Sequence, residues 1–121
     1  MRPPIRRGSV LWLPDTSINL PPDVNRTLHP KRPVIVLSRD LNNTDDLWPV
    51  FVGCPISSGS SSSEFDVRLA ANEGGLAKKG WARVALIQPF AKVDVMDRAG
   101  QLDASVVDEI LARWLQYVDA I

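Results

Sequence analysis

A small, mainly β domain closed by one C-terminal helix is what this sequence predicts. Three observations carry that expectation. Short apolar runs of strand length alternate with turn segments rich in proline, glycine and serine. The last apolar segment changes its period to steps of three and four residues. The length of 121 residues fits one domain, spanning 1–121, and hardly two. A chain of this size buries roughly two-thirds of its unfolded surface, enough for a core without covalent staples. Its composition, 45% apolar and 23% charged, is ordinary for a globular protein.

Ser9-Val10-Leu11-Trp12-Leu13 reads as a first strand that Pro14-Asp15 ends. Residues 14–32 form a long polar connection with Pro21-Pro22 and Pro30, which carries neither a helical nor a strand period. Pro33-Val34-Ile35-Val36-Leu37-Ser38 is the strongest buried-strand signal. Its proline stands first, where a missing backbone donor costs least. Trp48 to Ile56 resumes a β pattern, limited by Pro55. The run from Ser57 to Ser63 has no apolar content and reads as a flexible connection. Glu64 to Leu69 alternates as a half-buried strand, and Asn72-Glu73-Gly74-Gly75 is a turn. Trp81 to Gln88 is apolar on both faces apart from Arg83 and Gln88, which suits a central strand. The closing helix is drawn from Val106, Val107, Ile110, Leu111, Trp114, Leu115 and Val118, with Asp103 as N-cap. Five short strands, long loops and one terminal helix describe a small SH3-like or OB-like barrel.

Several classes of protein are excluded. Cys54 is the only cysteine and His29 the only histidine, so neither an internal disulfide nor a cysteine-histidine zinc site can form. The basic, proline-rich N-terminus lacks the apolar stretch of a signal sequence, and no run approaches 18 apolar residues. A cytoplasmic protein without a membrane partner is expected. Net charge is zero, which disfavours a dedicated duplex binder. The charge is nonetheless uneven: residues 1–39 hold seven bases and two acids, and residues 40–75 hold six acids and one base. Such polarity can turn a basic face toward a phosphate chain, although folding can equally mix it away.

Glycine-rich phosphate loops, nucleophile elbows and His/Glu metal pairs do not occur. Two features have chemical content. Arg32 precedes a buried strand directly, so the barrel fixes its position while its guanidinium can clamp a phosphate and stabilise charge on pentacoordinate phosphorus. A surface ion pair is the commoner fate of a single arginine. Ser57 and Ser58 stand where the Trp48–Ile56 strand ends, and hydroxyls there can donate to phosphate or ribose, or simply cap a turn. Lys31 adds charge beside Arg32, and His29 is a candidate for proton transfer.

Taken in order, these segments resemble the MazF/PemK (Kid) toxins of type II toxin–antitoxin systems. The residues that carry the resemblance are Arg7-Gly8-Ser9-Val10-Leu11-Trp12, Arg32-Pro33-Val34-Ile35-Val36-Leu37-Ser38 and Val52-Gly53-Cys54-Pro55-Ile56-Ser57-Ser58. Phe65-Asp66-Val67-Arg68-Leu69, Gly75-Leu76 and Gly100-Gln101-Leu102 with the helix complete it. The resemblance implies an SH3-like barrel of the MazF/PemK/CcdB kind that forms a homodimer. It implies an endoribonuclease, an mRNA interferase, that cuts single-stranded RNA without a metal or other cofactor and is held inactive by a cognate antitoxin. Arg32 matches the family's catalytic arginine, Ser57 its phosphate-activating Thr/Ser, and Arg83 an arginine of the PemK/Kid branch that would bind substrate with Lys31, Ser58 and His29.

Two departures stand out. The branch has an acid two residues after its second arginine, where this chain has Ala85, and the loop after the first strand lacks the family's Gly-Ser-Glu-Gln. The alternatives are a non-catalytic toxin on the same barrel, as in the gyrase-poisoning CcdB toxins, or a repurposed binding module. The CcdB reading is weakened by an ending Val118-Asp119-Ala120-Ile121 in place of Trp-Gly-Ile.

Overall fold

The computed structural model describes residues 2–21 and 28–121. Among the described residues, seven strands form one curled antiparallel sheet: β1 (Ser9–Pro14), β2 (Lys31–Val36), β3 (Val50–Ser57), β4 (Val67–Leu69), β5 (Gly80–Ala82), β6 (Gln88–Ala91) and β7 (Asp97–Gln101). Their order is β4-β5-β3-β2-β1-β7, with β6 also paired to β3. A short helix, α1 (Asp40–Asn43), follows β2, and α2 (Ala104–Tyr117) closes the chain. Part of the 14–32 connection, residues 22–27, lies outside the described residues. No helix among the described residues is long and apolar enough to cross a membrane.

The curl of the sheet explains the unbroken apolar runs of β1 and β2. Both strands are buried on both faces. Val10 and Ile35 point into a core that α2 covers with Val107 and Ile110. Leu11, Leu13, Val34 and Val36 point the other way, onto Ile5, Ile18, Phe51, Phe90 and Val95. Strict alternation thus sends neighbouring residues to two separate cores, each fully buried aliphatic side chain contributing roughly 1.5–3 kcal/mol. Phe51 and Phe90 stack at 5.6 Å in the second core.

The strand expected over Trp81–Gln88 is broken in two. Ala82 pairs with Ile56 and Gln88 with Gly53, so six residue steps on one side span three on the other. The excess is taken up by a 3-10 turn at Val84–Leu86, and Arg83 N–H still reaches the Pro55 carbonyl at 2.9 Å. This large bulge re-aims Arg83 into the protein interior. β7, with its polar Asp97-Arg98-Ala99-Gly100-Gln101 sequence, gave no strand signal. It is an edge strand held by backbone pairing to β1.

α2 begins one residue after Asp103, as the cap position requires, yet the Asp103 carboxylate accepts the Ser105 hydroxyl at 2.9 Å. Asp40 accepts the Arg7 N–H at 2.7 Å, which holds its carboxyl below the usual carboxylate range and ties the N-terminal segment to α1. Lys92 is buried, and its ammonium donates to the Asn42 and Asp45 carbonyls, closing the C-terminal end of α1.

The turn after β4 closes the barrel against β7. Gly75 has φ +77°, and a Cβ there would run into the Ala99 carbonyl. Gly75→Ala is therefore expected to cost about 1–3 kcal/mol of unfolding free energy. Urea denaturation followed by circular dichroism measures it, and an unchanged midpoint would mean that the turn does not close on β7.

Cys54 is buried in the helix-side core. Burial pushes its thiol pKa far above the ordinary range, and the Asp66 carboxylate adds to the effect. The native protein is expected to resist an aromatic disulfide reagent and to react fully once unfolded. Rapid native labelling would show that β3 opens locally.

Candidate functional site

The site is built where β1 and β2 end side by side. Arg32 lies opposite Leu13 in the register, one residue inside β2. Asp15, the first residue after β1, is completely buried beneath it. Its carboxylate accepts Arg32 Nε–H at 2.9 Å through one oxygen and the His29 backbone N–H at 2.7 Å through the other. A charge-assisted bond to a buried acid restricts the guanidinium far more than a surface pair would. The same carboxylate sets where the chain returns into β2. Lys31 sits over the Trp12 ring at 4.6 Å and reaches Asp97 at 3.5 Å, an exposed and weak pair.

Ser57 ends β3, opposite Trp81 of β5. Its hydroxyl oxygen accepts Arg83 Nε–H at 2.7 Å, which leaves the Ser57 O–H proton available to a ligand. All three guanidinium nitrogens of Arg83 are engaged. Nη1 donates to Asp66 at 2.8 Å and to the Ser60 carbonyl at 3.0 Å, and Nη2 donates to the Ser58 carbonyl at 2.9 Å. Asp66 also accepts the Ser62 N–H at 2.9 Å. The serine run, expected to be a flexible connection, is wrapped around a buried cation. Its carbonyls replace the water that the guanidinium gives up.

A groove of about 400 Å³ connects these parts. Arg32, Lys31, Ser57, Ser58 and His29 line it together. Arg83 does not: it lies behind Ser57, only 8% exposed, with Asp66 2% exposed beside it. Ala85 is on the 3-10 turn and is likewise outside the groove. The acids nearest the two arginines come from elsewhere in the chain, Asp15 for Arg32 and Asp66 for Arg83.

Sequence patterns did not single out Trp12, Lys78 and Lys79, which line the same groove. Pro14-Asp15 carried a usable signal, an acid directly after a buried strand, but it reads as an ordinary turn. No acidic side chain lines the groove among the described residues, so Arg32, Lys31, Lys78 and Lys79 give it positive character on a chain of zero net charge. Such a groove is suited to a phosphate chain. It offers a fixed guanidinium, an oriented hydroxyl and an imidazole at one edge.

Solved structures of several toxins share this architecture. A MazF in complex with MazE from Deinococcus radiodurans superposes with a TM-score of 0.72 at 19% identity, covering 94% of each chain. An endoribonuclease in complex with its cognate antitoxin from a mycobacterial species gives 0.72 at 14% identity, covering 97% of each. A Mycobacterium tuberculosis MazF toxin gives 0.70 at 17% identity, covering 92% of this chain and 96% of its own. At these identities the likeness establishes the fold. No curated protein sequence matches the chain significantly. The sequence profile of the PemK-like, MazF-like toxins matches residues 6–118. With nearly the whole chain matched, and the barrel, the helix and the Arg-Pro strand in the expected order, the protein belongs to the PemK-like, MazF-like toxin family of type II toxin–antitoxin systems.

Proposed function

We propose that this toxin is a metal-independent endoribonuclease acting on single-stranded RNA in the Arg32–Ser57 groove. The observation that supports it most is the convergence of a guanidinium anchored by buried Asp15 and a hydroxyl oriented by Arg83 on one basic groove. In the proposed reaction the ribose 2′-oxygen attacks the adjacent phosphorus. The new O2′–P bond forms as the P–O5′ bond breaks, leaving a 2′,3′-cyclic phosphate and a free 5′-OH. Arg32 stabilises the charge on the pentacoordinate phosphorus. Ser57 donates to a non-bridging oxygen, with Ser58 beside it. His29 supplies the imidazole that takes the 2′-OH proton, and a proton returns to the departing 5′-oxygen. Lys31 holds a flanking phosphate. Arg83 positions Ser57 and does not touch RNA.

The same reading makes the protein a cytoplasmic homodimer that a cognate antitoxin neutralises. Family membership and relatives solved with their antitoxins support that partnership. Purified protein incubated with a mixed-sequence RNA in EDTA tests the chemistry. Fragments bearing 5′-OH ends are expected. Intact RNA, with growth arrest on expression, would replace this reading with a non-catalytic toxin.

A further inference from the structure

Beyond the reacting groove, the same face of the β3-β5-β4 sheet carries a second cleft of about 650 Å³ toward β4. It continues from the groove, sharing Ser58, Lys78, Lys79 and Gly80 with it. What it adds is Gly59, Arg68 and Trp81. The strand register sets Ser57 opposite Trp81 and Trp81 opposite Arg68, in one row across three adjacent strands. With strands about 4.8 Å apart, Arg68 stands about 10 Å across the sheet from Ser57. Directly opposed residues of an antiparallel pair share a face, so the Arg68 guanidinium and the Trp81 indole flank one cleft.

Trp81 is held in place. Its Nε1–H donates to the Gly59 carbonyl at 2.9 Å, so the ring is ordered before any ligand arrives. The side chains of Arg68, Lys78 and Lys79 enter no ion pair among the described residues, and all three are exposed. A fixed aromatic face among uncommitted cations is the combination that binds single-stranded nucleic acid, one part stacking a base and the other holding phosphates.

We infer that this cleft is a second RNA subsite, resting on the ribonuclease reading above. The strand that leaves the Arg32–Ser57 groove passes Lys78 and Lys79, stacks a base on Trp81 and places its next phosphate on Arg68. The protein then recognises a single strand longer than the dinucleotide step it cuts. Binding to oligomers rises with length until the cleft is filled.

The test measures fluorescence anisotropy of 2′-O-methyl RNA, which cannot be cleaved, as a trinucleotide and a nonanucleotide across a salt series. Wild type is compared with Arg68→Ala, an exposed position, and with Trp81→Phe, which retains a stacking face. Arg68→Ala is expected to weaken nonanucleotide binding about five- to tenfold and to reduce the salt slope by about 0.7. Trinucleotide affinity and dinucleotide cleavage stay as in wild type. Trp81→Phe keeps most of the affinity, whereas Trp81→Ala, checked for folding by circular dichroism, loses about tenfold. Wild-type cleavage with an unchanged Arg68→Ala slope would overturn the subsite and leave the ribonuclease reading standing. Loss of affinity for a poly-glutamate peptide, with RNA binding intact, would overturn it in favour of an acidic protein segment. A wild-type protein that neither binds nor cuts RNA would overturn both readings.

Discussion

Removing the Arg32 guanidinium is expected to lower RNA cleavage about 10²–10³-fold, the typical effect of deleting one preorganised donor to a developing oxyanion. Arg32→Ala alone is ambiguous, because it leaves Asp15 buried and without its 2.9 Å guanidinium donor. Breaking such a pair on one side costs about 3–5 kcal/mol and could abolish activity by unfolding the barrel. The informative protein is Arg32→Ala combined with Asp15→Asn, which removes the buried charge and keeps an acceptor for the His29 N–H. It should stay folded and remain inactive. Arg32→Lys supplies a second comparison, since lysine keeps the charge and loses the planar fork. Rates are read from single-turnover cleavage of an end-labelled RNA, with thermal unfolding run on each variant. A folded double variant that cuts as fast as wild type would remove Arg32 from the chemistry.

Arg83→Met should have the largest effect on stability, about 3–5 kcal/mol, or a Tm lower by roughly 10 °C or more. Methionine leaves Asp66 charged in a place where only 2% of its side chain meets solvent. The same change releases the Ser58 and Ser60 carbonyls and the Ser57 hydroxyl. Adding Asp66→Leu removes the stranded charge, and most of the stability is expected to return. Cleavage should not return, because the leucine cannot hold the serine loop. Recovery of both properties together would show that Arg83 only supports the fold. Loss of RNA affinity at full stability in the single variant would put Arg83 in contact with substrate instead.

How far the sequence could be read depended on the kind of interaction. β1, β2 and β3 were legible because both sheet faces are buried and their apolar runs are unbroken. α2 was legible because its burial follows a single stripe. β7 was not, since an edge strand of polar residues is held by main-chain bonds that any side chain permits. The break between β5 and β6 was hidden for a related reason. Val84, Leu86 and Ile87 are apolar whether they extend or turn, and the extra residues become visible only when both are paired to β3.

The site divides along the same line. Arg32, Lys31, His29, Ser57 and Ser58 were candidates from residue type and strand position, and they line one groove. The two carboxylates that hold the arginines were not foreseen, because Asp15 and Asp66 lie 17 residues from Arg32 and Arg83 respectively. Spacing of that kind follows no local period.

Order, period and residue type along the chain were enough for the barrel, its closing helix and the Arg-Pro strand, because burial of alternating or striped apolar residues is a local rule. Which arginine lines the groove and which is spent on the protein's own interior was settled only in three dimensions. Arg32 and Arg83 look alike in sequence, each a cation beside an apolar segment. The bulge that turns Arg83 inward, and the buried acid that steadies Arg32 at the groove, come from pairings between distant strands. A guanidinium's role is set by which desolvated partners reach it first.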